Sequence, residues 1–206
     1  MKIRKLIRLA VPGFLRKNIR CWLDALRREL KAPKMTIGYT DCTGVWKANI
    51  RLSDTVFFDH PERIEIQDNV FVWHYTILDG TGGLIIEEGC QIGAWVGIFT
   101  HSSHIAIRLY GAHYNESQGD EKRGYPTAPV RIGKYTFVGA GAKILPGVTI
   151  GRGSIVAAGT IVSKNVGDFQ IVSGNPATEI GDTRTLDKRY LRDPELRRWY
   201  EEWQRA

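Results

Sequence analysis

Between Val130 and Val162 an aliphatic residue returns every sixth position: Ile132, Val138, Ile144, Ile150, Val156 and Val162. Two residues before each following member stands a small or β-branched residue, in turn Thr136, Ala142, Val148, Ser154 and Thr160. A helix wants apolar residues every three or four positions and a half-buried strand every two. A period of six fits neither, and it matches the repeat of a parallel β-helix. Each hexad supplies one short strand and one corner, and three hexads close a triangular coil. Coils then stack at roughly the 4.8 Å spacing of paired strands. The aliphatic residue points inward onto its equivalents above and below, and the small residue fits the inside of the corner. Glycines at 133, 139 and 151 suit bends that a Cβ would crowd.

The register extends upstream. Ile66, Val72 and Leu78 hold the inward slot, with Val70 and Thr76 in the small slot. Gly80-Thr81-Gly82-Gly83 reads as a turn that shifts the frame by two residues. Ile86, Ile92 and Ile98 resume it, with Cys90, Val96 and Ser102 in the small slot. Ile50, Leu52, Val56 and Phe58 predict short strands that enter the solenoid with poorer hexad agreement. Periodicity stops at Ser103 and restarts at Pro126. A solenoid accepts insertions only at its corners, so residues 103–125 are expected to form an extruded loop, and loops of that length are usually functional.

The expected organisation is a basic helical segment over 1–35, a β-helix over 36–180 and a helical segment over 181–206. Asp193-Pro194 reads as an N-cap followed by Pro at the first helical position, and Leu196, Trp199, Tyr200 and Trp203 share one side of the last helix. Residues 1–31 carry ten Lys or Arg against Asp24 and Glu29, a local net of +8. The formal total is +7, so the rest of the chain nets about −1. The basic residues alternate with Ile, Leu and Trp on either side of Pro12-Gly13. That pattern fits an interfacial helix resting on anionic lipid. It also fits, somewhat better, a cap over the open end of a solenoid, and the two can coexist. No nucleic-acid-binding motif accompanies the charge.

Composition narrows the rest. Hydrophobic residues make up 43% and charged residues 25%, ordinary for a globular chain. No apolar run reaches membrane-spanning length. Cys21, Cys42 and Cys90 form neither a metal spacing nor an even disulfide set, which predicts a reducing, cytoplasmic setting and no bound metal.

The residues that could carry chemistry stand where coil gives way to loop, in Thr100-His101-Ser102-Ser103-His104. A neutral imidazole can take a proton from a hydroxyl and return it to a leaving group. The hexads, the loop after His-x-x-His, and the closing run ILPGVTIGRGSIVAAGTIVSK…IVSGNPA resemble the hexapeptide-repeat acetyltransferases. The likeness covers roughly residues 60–180 and is nearest to the galactoside, maltose and surface-polysaccharide O-acetyltransferases. It implies a left-handed β-helix, an exception to the right-handed rule for parallel crossovers. It also implies a homotrimer with active sites between neighbouring prisms, acetyl-CoA as donor, and a carbohydrate or lipid-linked glycan as acceptor.

Matched to the family motif H-x-x-H-x-x-x-R, His101 becomes the general base, with His104 and Arg108 on the acceptor side. His74 falls where the family commonly has Asn facing the acceptor. The backbone N–H of Ala140 matches the oxyanion donor, and Ala140, Ala158, Ser163 and Lys164 match the coenzyme A groove. After the GNPA run the family places basic residues, whereas this chain has Thr178-Glu179, with Arg184 as a substitute cation. Three competing readings stay open: a sugar N-acetyltransferase, a non-catalytic scaffold, and a zinc enzyme of the γ-carbonic-anhydrase kind. The last would use His74, His101 and His104, since three ligands plus water make a catalytic zinc pattern.

Overall fold

The computed structural model describes residues 13–116 and 122–205. The chain divides into two compact units, Met1–Lys34 and Met35–Ala206. In the first unit, Gly13–Lys31 form helix α1. The helix expected before Pro12 lies outside the described residues.

The second unit is a three-faced parallel β-helix. Face I stacks Trp46–Ser53, Phe71–Val72, Gln91–Ile92, Phe137–Val138, Ile155–Val156 and Gln170–Ser173. An antiparallel strand lies at each end of that face, Met35–Thr40 and Thr178–Asp182. Face II stacks Phe57–Asp59, Ile77–Asp79, Gly97–Ile98, Lys143–Ile144 and Ile161–Val162. Face III stacks Ile64–Ile66, Leu84–Ile86, Val130–Ile132 and Thr149–Ile150. The chain runs from face I to II to III, so three edges separate the faces.

The register follows the hexads. Ile132 pairs with Ile150, Val138 with Val156 and Ile144 with Val162, eighteen residues on in each case. All six inward residues are fully buried, as are the small-slot residues Ala142 and Thr160. In the first coils the step is twenty residues, as in Ile66 with Ile86 and Val72 with Ile92. The extra residues sit at the edge between faces II and III, in the Pro61–Arg63 turn and the Gly80–Gly83 turn. The poor hexad agreement of residues 33–60 thus has two sources: one antiparallel strand and one widened corner.

The 103–125 insertion leaves the same II–III edge. Its described part is not plain loop, because Ala106–Tyr110 form a short helix, α2, followed by a 3-10 turn over Gly111–Asn115. Ala106 is buried and its N–H bonds to Gly124 O at 2.8 Å. One small-slot assignment fails. Ser102 is only half-buried, whereas Thr100 is fully buried, because the chain leaves the coil before Ser102 can turn inward.

After the solenoid come a short helix α3 (Thr183–Asp187) and helix α4 (Pro194–Arg205), both within the segment expected to be helical. Asp193 Oδ1 accepts from Glu195 N at 2.8 Å, the expected N-cap. The helix packs on the solenoid through Trp203, whose ring lies 4.7 Å from Tyr135 and 5.9 Å from Phe169. Leu196 and Trp199 stay exposed. Gly89 lies beneath this cluster with φ +72°, and a Cβ there would meet the Tyr135 ring at 2.4 Å. Because each inward side chain touches the coils on both sides, Ile144→Ala should cost about 2–5 kcal/mol, read by chemical denaturation.

Candidate active site

The II–III edge carries a stack of corners. The chain turns there after Asp79, Phe99, Leu145 and Val162, and the insertion places His101 and His104 beside the neighbouring corners. The result is a groove of about 620 Å³ whose walls are mostly apolar, from Phe99, Pro126, Ala128, Leu145 and Pro146. His101, His104, Ser102 and Ser163 supply its polar groups.

His101 is held from two sides. Its Nδ1 lies 2.7 Å from Asp79 Oδ2, and its ring stacks on Tyr125, with centroids 5.3 Å apart and planes 14° from parallel. Tyr125 comes from the returning end of the loop. The two loop ends are joined by Ser102 N to Pro126 O at 3.0 Å and Ala128 N to Thr100 O at 2.9 Å. The loop therefore closes on the histidine that begins it.

Asp79 is 2% exposed, so its charge must be met by hydrogen bonds. Thr81 N donates to Oδ1 at 2.8 Å and Thr100 N to Oδ2 at 2.7 Å. Burial alone would raise this carboxyl, but the bonds from Thr81 and Thr100, together with His101, outweigh it and bring the pKa to about 2. An ionised Asp79 can only accept, so His101 Nδ1 carries the proton and Nε2 presents its lone pair. His101 is 27% exposed and lines the groove, which leaves that lone pair room for a substrate hydroxyl.

His104 is oriented differently. Its Nδ1 meets Ser102 Oγ at 2.7 Å, and among the described residues no carboxylate stands behind it. Arg108 Nη1 donates to His104 O within the same turn, so this arginine braces the backbone that carries His104.

The other expected site residues stand elsewhere on the chain. His74, Ala140 and Ala158 lie at the I–II edge. His74 Nδ1 is 2.7 Å from Ser53 Oγ, and Ala140 borders a second groove, of about 280 Å³, with Phe71, Trp73 and Phe137. Ser163 and Lys164 are exposed at the II–III edge, on the His101 side. Arg184 is engaged by Asp182 and lies 5.0 Å over the Phe169 ring, near neither group. One chain thus brings His101, His104 and Ser163 together and leaves His74, Ala140 and Ala158 at another edge. Among the described residues no three His, Cys, Asp or Glu side chains are arranged to hold a metal ion.

Sequence reasoning missed Asp79 and Tyr125. Asp79 had a signal, namely a carboxylate directly after the inward Leu78 and just before a corner insertion. Tyr125 had none, because its contact depends on how the loop returns.

The β-helix and its hexad run have counterparts among known proteins. Residues 129–164 match the family described as bacterial transferase hexapeptide (six repeats). A Saccharomyces cerevisiae protein provisionally named an acetyltransferase is 32% identical over 135 residues, 64% of this chain and 62% of that one. A hexapeptide-repeat acetyltransferase of Vibrio cholerae, solved with acetyl coenzyme A, is 26% identical with a TM-score of 0.53, covering 62% of this chain and 64% of its own. A galactoside acetyltransferase solved with coenzyme A gives a TM-score of 0.56 at 23% identity over 65% of this chain and 62% of its own, a likeness of fold. The chain spans about three fifths of the length of the curated relatives it matches. The likeness in sequence is strongest over the hexad run 129–164, and the fold is the left-handed β-helix.

Proposed function

We propose that the chain is an acetyl-CoA-dependent O-acetyltransferase that esterifies a sugar hydroxyl of a surface polysaccharide, a lipopolysaccharide or its precursor, with His101 as general base. The observation that carries this reading is the Asp79–His101 pair facing an apolar groove. His101 Nε2 takes the hydroxyl proton as the oxygen attacks the thioester carbonyl carbon. The carbonyl π pair moves onto oxygen, and the Ala140 backbone N–H stabilises the resulting oxyanion. Collapse re-forms the carbonyl, breaks the C–S bond and expels the thiolate, which takes the proton from the imidazolium. The products are the acetyl ester and free coenzyme A, and His101 ends as it began.

His101 and Ala140 stand at different edges of one prism, which supports a homotrimer in which one copy's II–III edge faces the next copy's I–II edge. Trp73, Tyr75 and Trp95 are exposed along that second edge, and an apolar surface of this kind supports burial against another copy. In that cleft Ala140, Ala158 and Ser163 offer low walls to the pantetheine, and Lys164 a cation to its phosphates. Arg184, already paired with Asp182, is the weaker candidate for that task. His104, Arg108 and His74 belong to the acceptor side. The free thiols Cys21, Cys42 and Cys90 support a cytoplasmic setting.

The test is release of free coenzyme A from acetyl-CoA across a panel of sugar acceptors, run beside a thermal-shift titration. Acetyl-CoA at a hundredfold excess over its dissociation constant should add about 2.7 kcal/mol of stability. No shift and no acceptor-dependent thiol release would end the transferase reading.

A further inference from the structure

Helix α1 is a feature that acetyl transfer leaves unused. We propose that α1 docks on an anionic phospholipid bilayer, lying along its surface. At 3.6 residues per turn, Ile19, Trp22, Leu23, Leu26 and Leu30 fall within one arc of about 100°. All five side chains are exposed, Trp22 at 64% and Leu30 at 68%. Five large apolar groups along one stripe are a surface that needs an occupant.

The charge on the helix selects that occupant. Within Gly13–Lys31 stand Arg16, Lys17, Arg20, Arg27, Arg28 and Lys31 against Asp24 and Glu29, a net of +4. The six basic positions fall outside the apolar arc, and helical positions 16 and 27 adjoin its margin. Cationic positions adjoin one margin of the stripe and Glu29 the other, and the net of +4 with the apolar stripe complements the interface of an anionic membrane, with acyl chains below and phosphates beside. Trp22 is the residue type that settles at that interface. The helix does not span, because no described helix is long and apolar enough to cross a bilayer. Nucleic acid would engage the basic side and leave the apolar stripe in water. A second copy of α1 would bring two +4 helices together along the margins of the seam.

The full chain is sedimented with sucrose-loaded vesicles of phosphatidylglycerol and phosphatidylethanolamine, and in parallel with phosphatidylcholine vesicles. Binding to the anionic vesicles should be at least about tenfold stronger and should weaken as salt rises. Trp22→Ser with Leu26→Ser should abolish it, and Arg28→Gln with Lys31→Gln should reduce it, with melting temperature and molecular mass unchanged. Equal sedimentation with both vesicle types overturns the proposal, as does binding that survives loss of the apolar pair. If the Ser variant instead lowers the melting temperature or the molecular mass, and the wild-type chain ignores vesicles, the stripe belongs to the β-helix or to a second copy. No step of this test reads catalysis, so its outcome stands apart from that of the transferase assay.

Discussion

His101→Ala should lower kcat by about 10²- to 10⁴-fold, the usual contribution of a positioned general base, with the KM for acetyl-CoA changed by less than about threefold. Of the two histidines described in the groove, His101 has a carboxylate among the described residues behind its Nδ1 and His104 has none. His101 has its Nδ1 proton fixed by an ionised carboxylate, so the reactive lone pair stays on Nε2. His104 has a serine hydroxyl there, which can donate or accept and fixes neither tautomer. His104→Ala should therefore cost about tenfold, mainly in acceptor KM, since its part is contact with the acceptor and not proton transfer. Steady-state kinetics of both variants with one acceptor decide the assignment. The reverse ranking would move the base to His104 and leave the Asp79 pair a structural feature.

Asp79→Asn is the second large effect, and it reads out in both rate and stability. Asp79 acts through His101, so it is a positioning residue. The amide can donate to Nδ1 and favour the tautomer whose lone pair faces the wrong way, which should lower kcat by about 10²- to 10⁴-fold without a matching change in acetyl-CoA KM.

The stability effect has a definite sign. The folded carboxyl titrates near 2, below its ordinary 3.8, so its contribution is complete above the unfolded value and is lost as pH falls through the folded one. A shift of that size corresponds to about 2 kcal/mol. Denaturation at neutral pH should show the variant weaker by on the order of that amount. The gap should close as both proteins are taken from about pH 4 towards pH 2. A variant as stable as wild type at neutral pH, with an unchanged rate, would refute the assigned role of Asp79.

The groove also shows where sequence reasoning reached and where it stopped. His101 and His104 stood out in the sequence because the break in periodicity beside them marks a corner, whereas Ser163 entered only through the resemblance to the hexapeptide-repeat acetyltransferases. Asp79 was not, because its partner lies twenty-two residues ahead and a carboxylate at a corner resembles any solvated one. Tyr125 reaches His101 only through the closure of the loop on itself. The mistaken inward assignment of Ser102 has the same origin, since counting by six cannot say at which residue the chain departs from the coil.

The sequence by itself determined the β-helix. A strict six-residue period leaves one way to bury Ile132, Val138, Ile144 and their equivalents together, and that coil then fixes which residues share an edge. The tertiary structure decided the chemistry at that edge. It set Asp79 behind His101, closed Tyr125 over the ring, and left Ala140 on a different edge from that histidine. The physical reason is one of range. Repeat spacing is a local property that every coil expresses alone, whereas the orientation of an imidazole depends on groups that meet only after separate coils and the returning loop have packed.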